Sequence, residues 1–163
     1  MKSELDEFDL KLLEEIQLNN RLTADELAQK VCLSGSAVQR RLRRLRENKI
    51  IERDVAIISP EAVGRLLTAI VEVTLDTDEP QVLRRFEQAA RDAPEVMQAY
   101  YVTGNADFIL IVTAKALQDY ESFAHRLLSK KLHVKHFRTS VVMRRVKWGV
   151  SVPVKVETET RSA

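Results

Sequence analysis

TADELAQKVCLSGSAVQRRLRRLRENK, residues 23–49, carries two short helical patterns separated by a tight turn, and its reading decides the first part of the fold. Thr23 and Glu26 stand in capping-box spacing, in which hydroxyl and carboxylate each satisfy an amide left free at a helix start. Leu27, Ala28 and Val31 then form the inward side of a short helix. Beyond Cys32-Leu33, Ser34 is placed to cap another helix whose inner stripe is Val38, Leu42 and Leu45. Its outward face holds Ser36, Gln39, Arg40 and Arg43, while Arg44, Arg46 and Lys49 point more sideways. Arg41 lies close to the inner stripe and braces the fold as readily as it meets a partner. Cys32 reads as a semi-buried packing residue of the turn.

Upstream, Phe8, Leu12, Leu13 and Ile16 recur at helical spacing behind a capping Asp6, and Asn19-Asn20 ends the pattern. Residues 1–15 hold six acids against two lysines, whereas residues 34–49 hold six cations against one glutamate. The formal net charge of +2 therefore hides a dipole between neighbouring helices. It also excludes a polybasic binder that works by bulk charge. Two helices across a tight turn, the second basic, make a helix-turn-helix pattern. Arg suits guanine, Gln suits adenine and Ser suits either in a major groove. Sideways cations and the free amides near Ser34 to Ser36 suit phosphates, with the acidic first helix lying away from them. The plainer alternative is a solvated basic helix paired with acidic neighbours.

From Ile50 the pattern changes. Ile50, Ile51, Val55, Ile57 and Ile58 suggest an extended connector, followed by a Ser59-Pro60 cap and a turn ended by Gly64. Residues 66–75 are β-rich, 80–93 helical, 96–103 and 106–113 strands, 117–128 helical and 134–146 a last strand. Gly104-Asn105 suits a two-residue hairpin turn. The order β-α-β-β-α-β is the ferredoxin-like pattern, with both helices on one sheet face. Ile70, Tyr101, Ile109 and Ile111 make the other face too apolar to stay wet, so association with further copies is expected. The fold class is α+β. A helix-turn-helix domain occupies 1–50, a linker 51–65, a ferredoxin-like domain 66–148 and a tail 149–163.

The 163 residues contain one cysteine, three histidines and short apolar runs. No disulfide framework, membrane span or signal peptide is expected, and the N-terminus is acidic. His133 and His136 lack clustered partner ligands, so no metal site is expected. No phosphate loop, nucleophile elbow or carboxylate pair stands out, so neither catalytic residues nor a cofactor is expected.

The stretch LDEFDLKLLEEIQLNNRLTADELAQKVCLSGSAVQRRLRRLRENKII resembles the N-terminal domain of the Lrp/AsnC (feast/famine) transcriptional regulators. VTGNADFILIV resembles that family's effector-domain hairpin, and VKWGVSVPV its Lrp-like branch. The resemblance covers nearly the whole chain. It implies a cytoplasmic, nucleoid-associated prokaryotic regulator that binds double-stranded DNA through Ser34, Ser36, Gln39, Arg40, Arg41, Arg43, Arg44 and Lys49. It further implies homodimers joined into a larger ring such as an octamer, with a small amino acid bound between effector domains. The Lrp-like tail implies leucine or another apolar amino acid. Effector contacts would come from Thr103, Gly104, Asn105, Ala106, Asp107, Thr139 and Ser140. Asp107 could take an ammonium and amides near Gly104 a carboxylate. Without the resemblance, Gly104-Asn105 simply closes a hairpin and Asp107 pairs with a nearby Arg.

Two positions depart from the family pattern: Cys32 and Lys49 stand where it usually has glycine, in turns that commonly need positive φ. Asn48 is placed to take the second turn instead. Two other readings share the architecture. One is a ligand-independent architectural DNA-binding protein. The other is a sirohaem-decarboxylase-like enzyme, against which the cations of 34–49 argue.

Overall fold

A computed structural model describes residues 5–154 and divides them into two compact units, 5–56 with 147–154 and 57–146. In the first, α1 (Glu7–Leu18), α2 (Ala24–Val31) and α3 (Gly35–Glu47) surround one core. The Asp6 carboxylate accepts from the Asp9 amide and the Asp9 carboxylate from the Asp6 amide, closing a capping box on α1. Thr23 and Glu26 do the same for α2, and Ser34 Oγ accepts from the Ala37 amide on α3. Leu12, Leu27, Val31, Val38, Leu42 and Leu45 are buried together. Burying such a side chain contributes about 1.5–3 kcal/mol, and this shared core orients α3. Ile50 and Ile51 pack on the core rather than starting an extended connector, because both amides return to the Leu45 carbonyl. The segment 147–154 joins this unit as well. Gln17 Nε2 donates to the Val152 carbonyl at 3.1 Å, and the Val152 amide donates to Gln17 Oε1 at 2.6 Å. The polar end of the tail, 157–163, lies outside the described residues.

The second unit opens with a 3₁₀ turn, Glu61–Val63, ended by Gly64 at φ 76°. Four strands follow, β1 (Leu67–Leu75), β2 (Val96–Tyr101), β3 (Phe108–Ala114) and β4 (Val134–Val141), with α4 (Pro80–Asp92) and α5 (Leu117–Leu127) between them. The sheet order is β2-β3-β1-β4 and all its pairings are antiparallel. Alternation places Ala69, Val71 and Val73 of β1 with Leu110 and Val112 of β3 under both helices. Phe86 and Ala90 of α4 and Tyr120, Phe123 and Leu127 of α5 complete this core. Phe86 and Phe108 pack with ring centroids 4.7 Å apart.

Three details differ from the sequence reading. The last strand ends at Val141 rather than 146. β2 and β3 are joined by a six-residue loop, 102–107, rather than a two-residue turn, and within it only Gly104 has positive φ, 124°. Tyr101 faces the helices: it pairs with Phe108 and its ring lies 5.2 Å from that of Phe108. Tyr100, opposite Ile109, takes its place on the open face with Ile70 and Ile111. A period of two leaves no other choice once Phe108 is buried. Among the described residues no helix is long and apolar enough to cross a membrane.

Candidate nucleic-acid interface and effector site

The outward side of α3 carries Ser36, Gln39, Arg40 and Arg43, all exposed. Among the described residues Arg40 and Arg43 form no ion pair. Gln39 and Arg43 line a shallow groove of about 380 Å³ together with Leu42, Arg46 and Glu47. The two guanidinium forks and the carboxamide can make bidentate hydrogen bonds to base edges.

Arg41 and Arg44 are placed differently. Asp9 is 0% exposed, and its carboxylate accepts from Arg41 Nη1 at 2.8 Å and from Arg44 Nη2. Arg41 also reaches Asp6 at 2.7 Å and lies 5.5 Å from the Phe8 ring centroid. Burial pushes the Asp6 carboxyl up, but the Asp9 amide and the Arg41 guanidinium together hold it below its ordinary value. Arg41 thus acts as a brace between α1 and α3. The acidic first helix does more than balance charge: Asp6 and Asp9 receive Arg41 and Arg44, and both pairs have i,i+3 spacing. Arg46 is also engaged, donating twice to Asp54 at 2.9 and 3.2 Å. Of the six cations in this stretch, Arg40, Arg43 and Lys49 have no carboxylate partner among the described residues.

The start of α3 is occupied as well. Ser34 Oγ caps Ala37 and lies 3.2 Å from Ser36 Oγ. A Cβ on Gly35 would stand 2.4 Å from Asp25 Oδ1, so the α2 carboxylate already sits at this helix end, where a phosphate was expected.

Both departures from glycine adopt the left-handed conformation, Cys32 at φ 56° and Lys49 at φ 58°. Asn48, at φ −81°, does not take the turn. Cys32 is exposed rather than semi-buried, because the αL turn carries its side chain outward. A residue with a Cβ pays about 1–2 kcal/mol there, partly offset by the larger unfolded-state freedom of glycine. Cys32→Gly and Lys49→Gly are each expected to raise stability by about 0.5–1 kcal/mol, read as a higher denaturation midpoint. Lys49→Gly should at the same time weaken binding to all duplexes alike. An unchanged midpoint for both would show that neither turn is strained.

In the second unit the loop 102–107 is pinned to the end of β1. The Asp107 amide donates to the Val73 carbonyl at 2.9 Å, and its Oδ2 accepts from the Leu75 amide at 2.8 Å. Asp107 therefore meets backbone rather than an arginine. Thr103, Gly104 and Asn105 are exposed, Ala106 is buried, and the Asn105 carbonyl accepts from Thr74 Oγ1. Thr139 and Ser140 lie apart from this loop, opposite Val71 and Ile70 on β1. They also face opposite sides of the sheet. Thr139 points under the helices, where its hydroxyl pairs with that of Tyr120. Burial pushes the Tyr120 hydroxyl above its ordinary pKa, and the Thr139 hydrogen bond opposes it. Ser140 lines an open groove of about 600 Å³ with Ile70, Val142, Met143 and Arg144. The helical spacing places Tyr120 on the inner side of α5, as observed, but sequence reasoning missed its hydroxyl as the partner of Thr139. It also missed Arg65, which donates to the hydroxyl and carbonyl of buried Thr113. Among the described residues no group of three or more His, Cys, Asp or Glu could hold a metal ion.

Residues 5–52 match the winged helix-turn-helix DNA-binding family, and residues 68–152 match the Lrp/AsnC ligand binding domain. An uncharacterised HTH-type transcriptional regulator of Sinorhizobium fredii is 52% identical over 153 residues, spanning 94% of this chain and 90% of its own. The leucine-responsive regulatory protein of Haemophilus influenzae is 32% identical over 143 residues, spanning 88% and 86%. A solved Neisseria meningitidis transcriptional regulator in complex with L-Met superposes with a TM-score of 0.86 at 31% identity, over 92% of this chain and 97% of that one.

Proposed function

Because the chain belongs to the Lrp/AsnC family of DNA-binding transcriptional regulators, we propose that it reads specific duplex sequences through α3 and that a small amino acid tunes this binding. Its relatives are regulators rather than enzymes, and it pairs a DNA-binding unit with a ligand-binding unit. The observation that carries the reading is the exposed face of Ser36, Gln39, Arg40 and Arg43, whose arginines are not spent on internal carboxylates. A homodimer would present two such helices to successive major grooves, roughly one helical turn apart, on a near-palindromic site. Joining dimers into an octamer would add heads on one bent duplex. Such a protein works at the nucleoid, in the prokaryotic cytoplasm.

For the effector, the loop 102–107 supplies exposed amides near Gly104 and the remaining oxygen of Asp107, which suit a zwitterion. Ser140 lies three positions further back along β1 from Val73, so one chain does not bring the two clusters together. A site between copies would. The apolar groove around Ile70 and Met143 favours leucine or methionine over a charged amino acid. An effector that prefers one assembly supplies typically about 1–3 kcal/mol of coupling.

The test is fluorescence-anisotropy binding to a duplex from the gene's own upstream region, with excess unrelated competitor, with and without mixed amino acids. Competitor-resistant binding whose affinity shifts about 5- to 150-fold with amino acids is expected. Indifference to amino acids would leave an architectural DNA-binding protein. Loss of all binding to competitor would overturn the specific reading.

A further inference from the structure

Residues 130–145 carry six Lys or Arg, two His and no acid, a stretch with as many cations as the α3 region and without its glutamate. They form a 3₁₀ turn, Lys130–Leu132, then edge strand β4 and the chain just after it. Lys130, Lys131, Lys135, Arg138 and Arg144 are exposed and form no ion pair among the described residues. The acids nearest in the fold are few. Asp76 lies 3.1 Å from His133 Nδ1, Glu61 pairs with Arg145, and Glu72 stands opposite Arg138 in the register without a salt bridge. His133 adopts φ 60°, and this left-handed turn separates the Lys130 and Lys131 turn from the strand that carries Lys135.

We propose that this rim is a second DNA surface, contacting the phosphate backbone without reading bases. Eight extended residues of β4 span roughly 26 Å, the length of about eight base pairs at ~3.4 Å each. The cations on the rim suit phosphates, lysines as point charges and arginines as forks, while the apolar groove lined by Val142 and Met143 adjoins the rim at its Arg144 end. The division of labour follows from where cations are spent. In α3, Arg41, Arg44 and Arg46 are held by Asp9 and Asp54, which leaves the reading helix few charges for the backbone. The β4 rim supplies them. Lysines on an edge strand also deter strand pairing between copies. That role needs charges along the strand only, whereas this rim continues into the preceding turn and past Val141 to Arg144.

The inference rests on the chain being a DNA-binding protein but not on which bases α3 reads. The test measures affinity for a 150-base-pair duplex of arbitrary sequence against salt, for the full chain and two variants. In Lys130→Gln/Lys131→Gln/Lys135→Gln the log–log slope is expected to be shallower by about 2.7 per bound protomer, from three phosphates at ~0.9 each. The corresponding triple Arg variant should keep the wild-type slope, which separates charge from side-chain identity. Arg40→Ala/Arg43→Ala, on the upstream duplex, reports on the α3 reading independently. A triple-Gln protein with wild-type slope and affinity overturns the second surface, as does one whose sole change is self-association. A slope lost in both triple variants would assign the effect to folding and overturn it too.

Discussion

Asp9→Ala is expected to destabilise the helical unit by about 3 kcal/mol, the lower end of the range for removing one member of a buried charge pair. The lower end applies because Arg41 and Arg44 both reach solvent, with side chains 20% and 41% exposed, and can recover part of their hydration. Three interactions disappear together: the contacts to Arg41 and to Arg44, and the hydrogen bond that accepts from the Asp6 amide. Against a typical total of about 5–15 kcal/mol, that is a large share. Asp9→Asn preserves shape and one acceptor but not the charge, and should fall between. Chemical denaturation followed by far-UV circular dichroism checks this. A midpoint change within about 0.5 kcal/mol, as for an ordinary surface substitution, would show that the carboxylate is not what holds α1 to α3.

Arg40→Ala/Arg43→Ala should leave stability unchanged, because neither guanidinium has a carboxylate partner among the described residues. Specific binding should drop steeply. A bidentate contact to guanine discriminates by about 1–3 kcal/mol, so losing two is expected to cost at least tenfold and to relax sequence preference at the bases they face. Competition anisotropy with the upstream duplex and single-base variants of it measures both. Arg41→Ala provides the contrast: its loss should appear in the denaturation curve. Intact specificity in the double variant would sink the assignment of this helix face as the reader.

Much of this was legible in the sequence because the signals are local. Caps at Asp6, Thr23 and Ser34, the stripe Val38, Leu42 and Leu45, and the β-α-β-β-α-β order each depend on residues a few positions apart. What escaped depends on register or on distant partners. Tyr101 and Tyr100 exchanged faces because Tyr101 pairs with buried Phe108 across β2 and β3, a register that local spacing does not give. The hairpin reading of Gly104-Asn105 failed because Val102 and Asp107 close the loop with their own backbone hydrogen bond. At the effector cluster, adjacent residues Thr139 and Ser140 necessarily face opposite ways on a strand, which no resemblance states. The arginines could not be sorted from composition alone. Only the placement of Asp9 distinguishes Arg41 and Arg44 from Arg40 and Arg43.

The pairing of Gln17 with Val152 has an entropic side. Its partners are 135 residues apart, whereas the caps and core contacts of the three helices join near neighbours. Contacts of small separation close at little entropic cost, whereas one that spans so long a loop must offset a larger one. The two hydrogen bonds of this pair are exposed to solvent. The helical unit therefore takes in chain from both sides of the sheet in sequence, so a cut within the sheet domain would separate it from its own last segment.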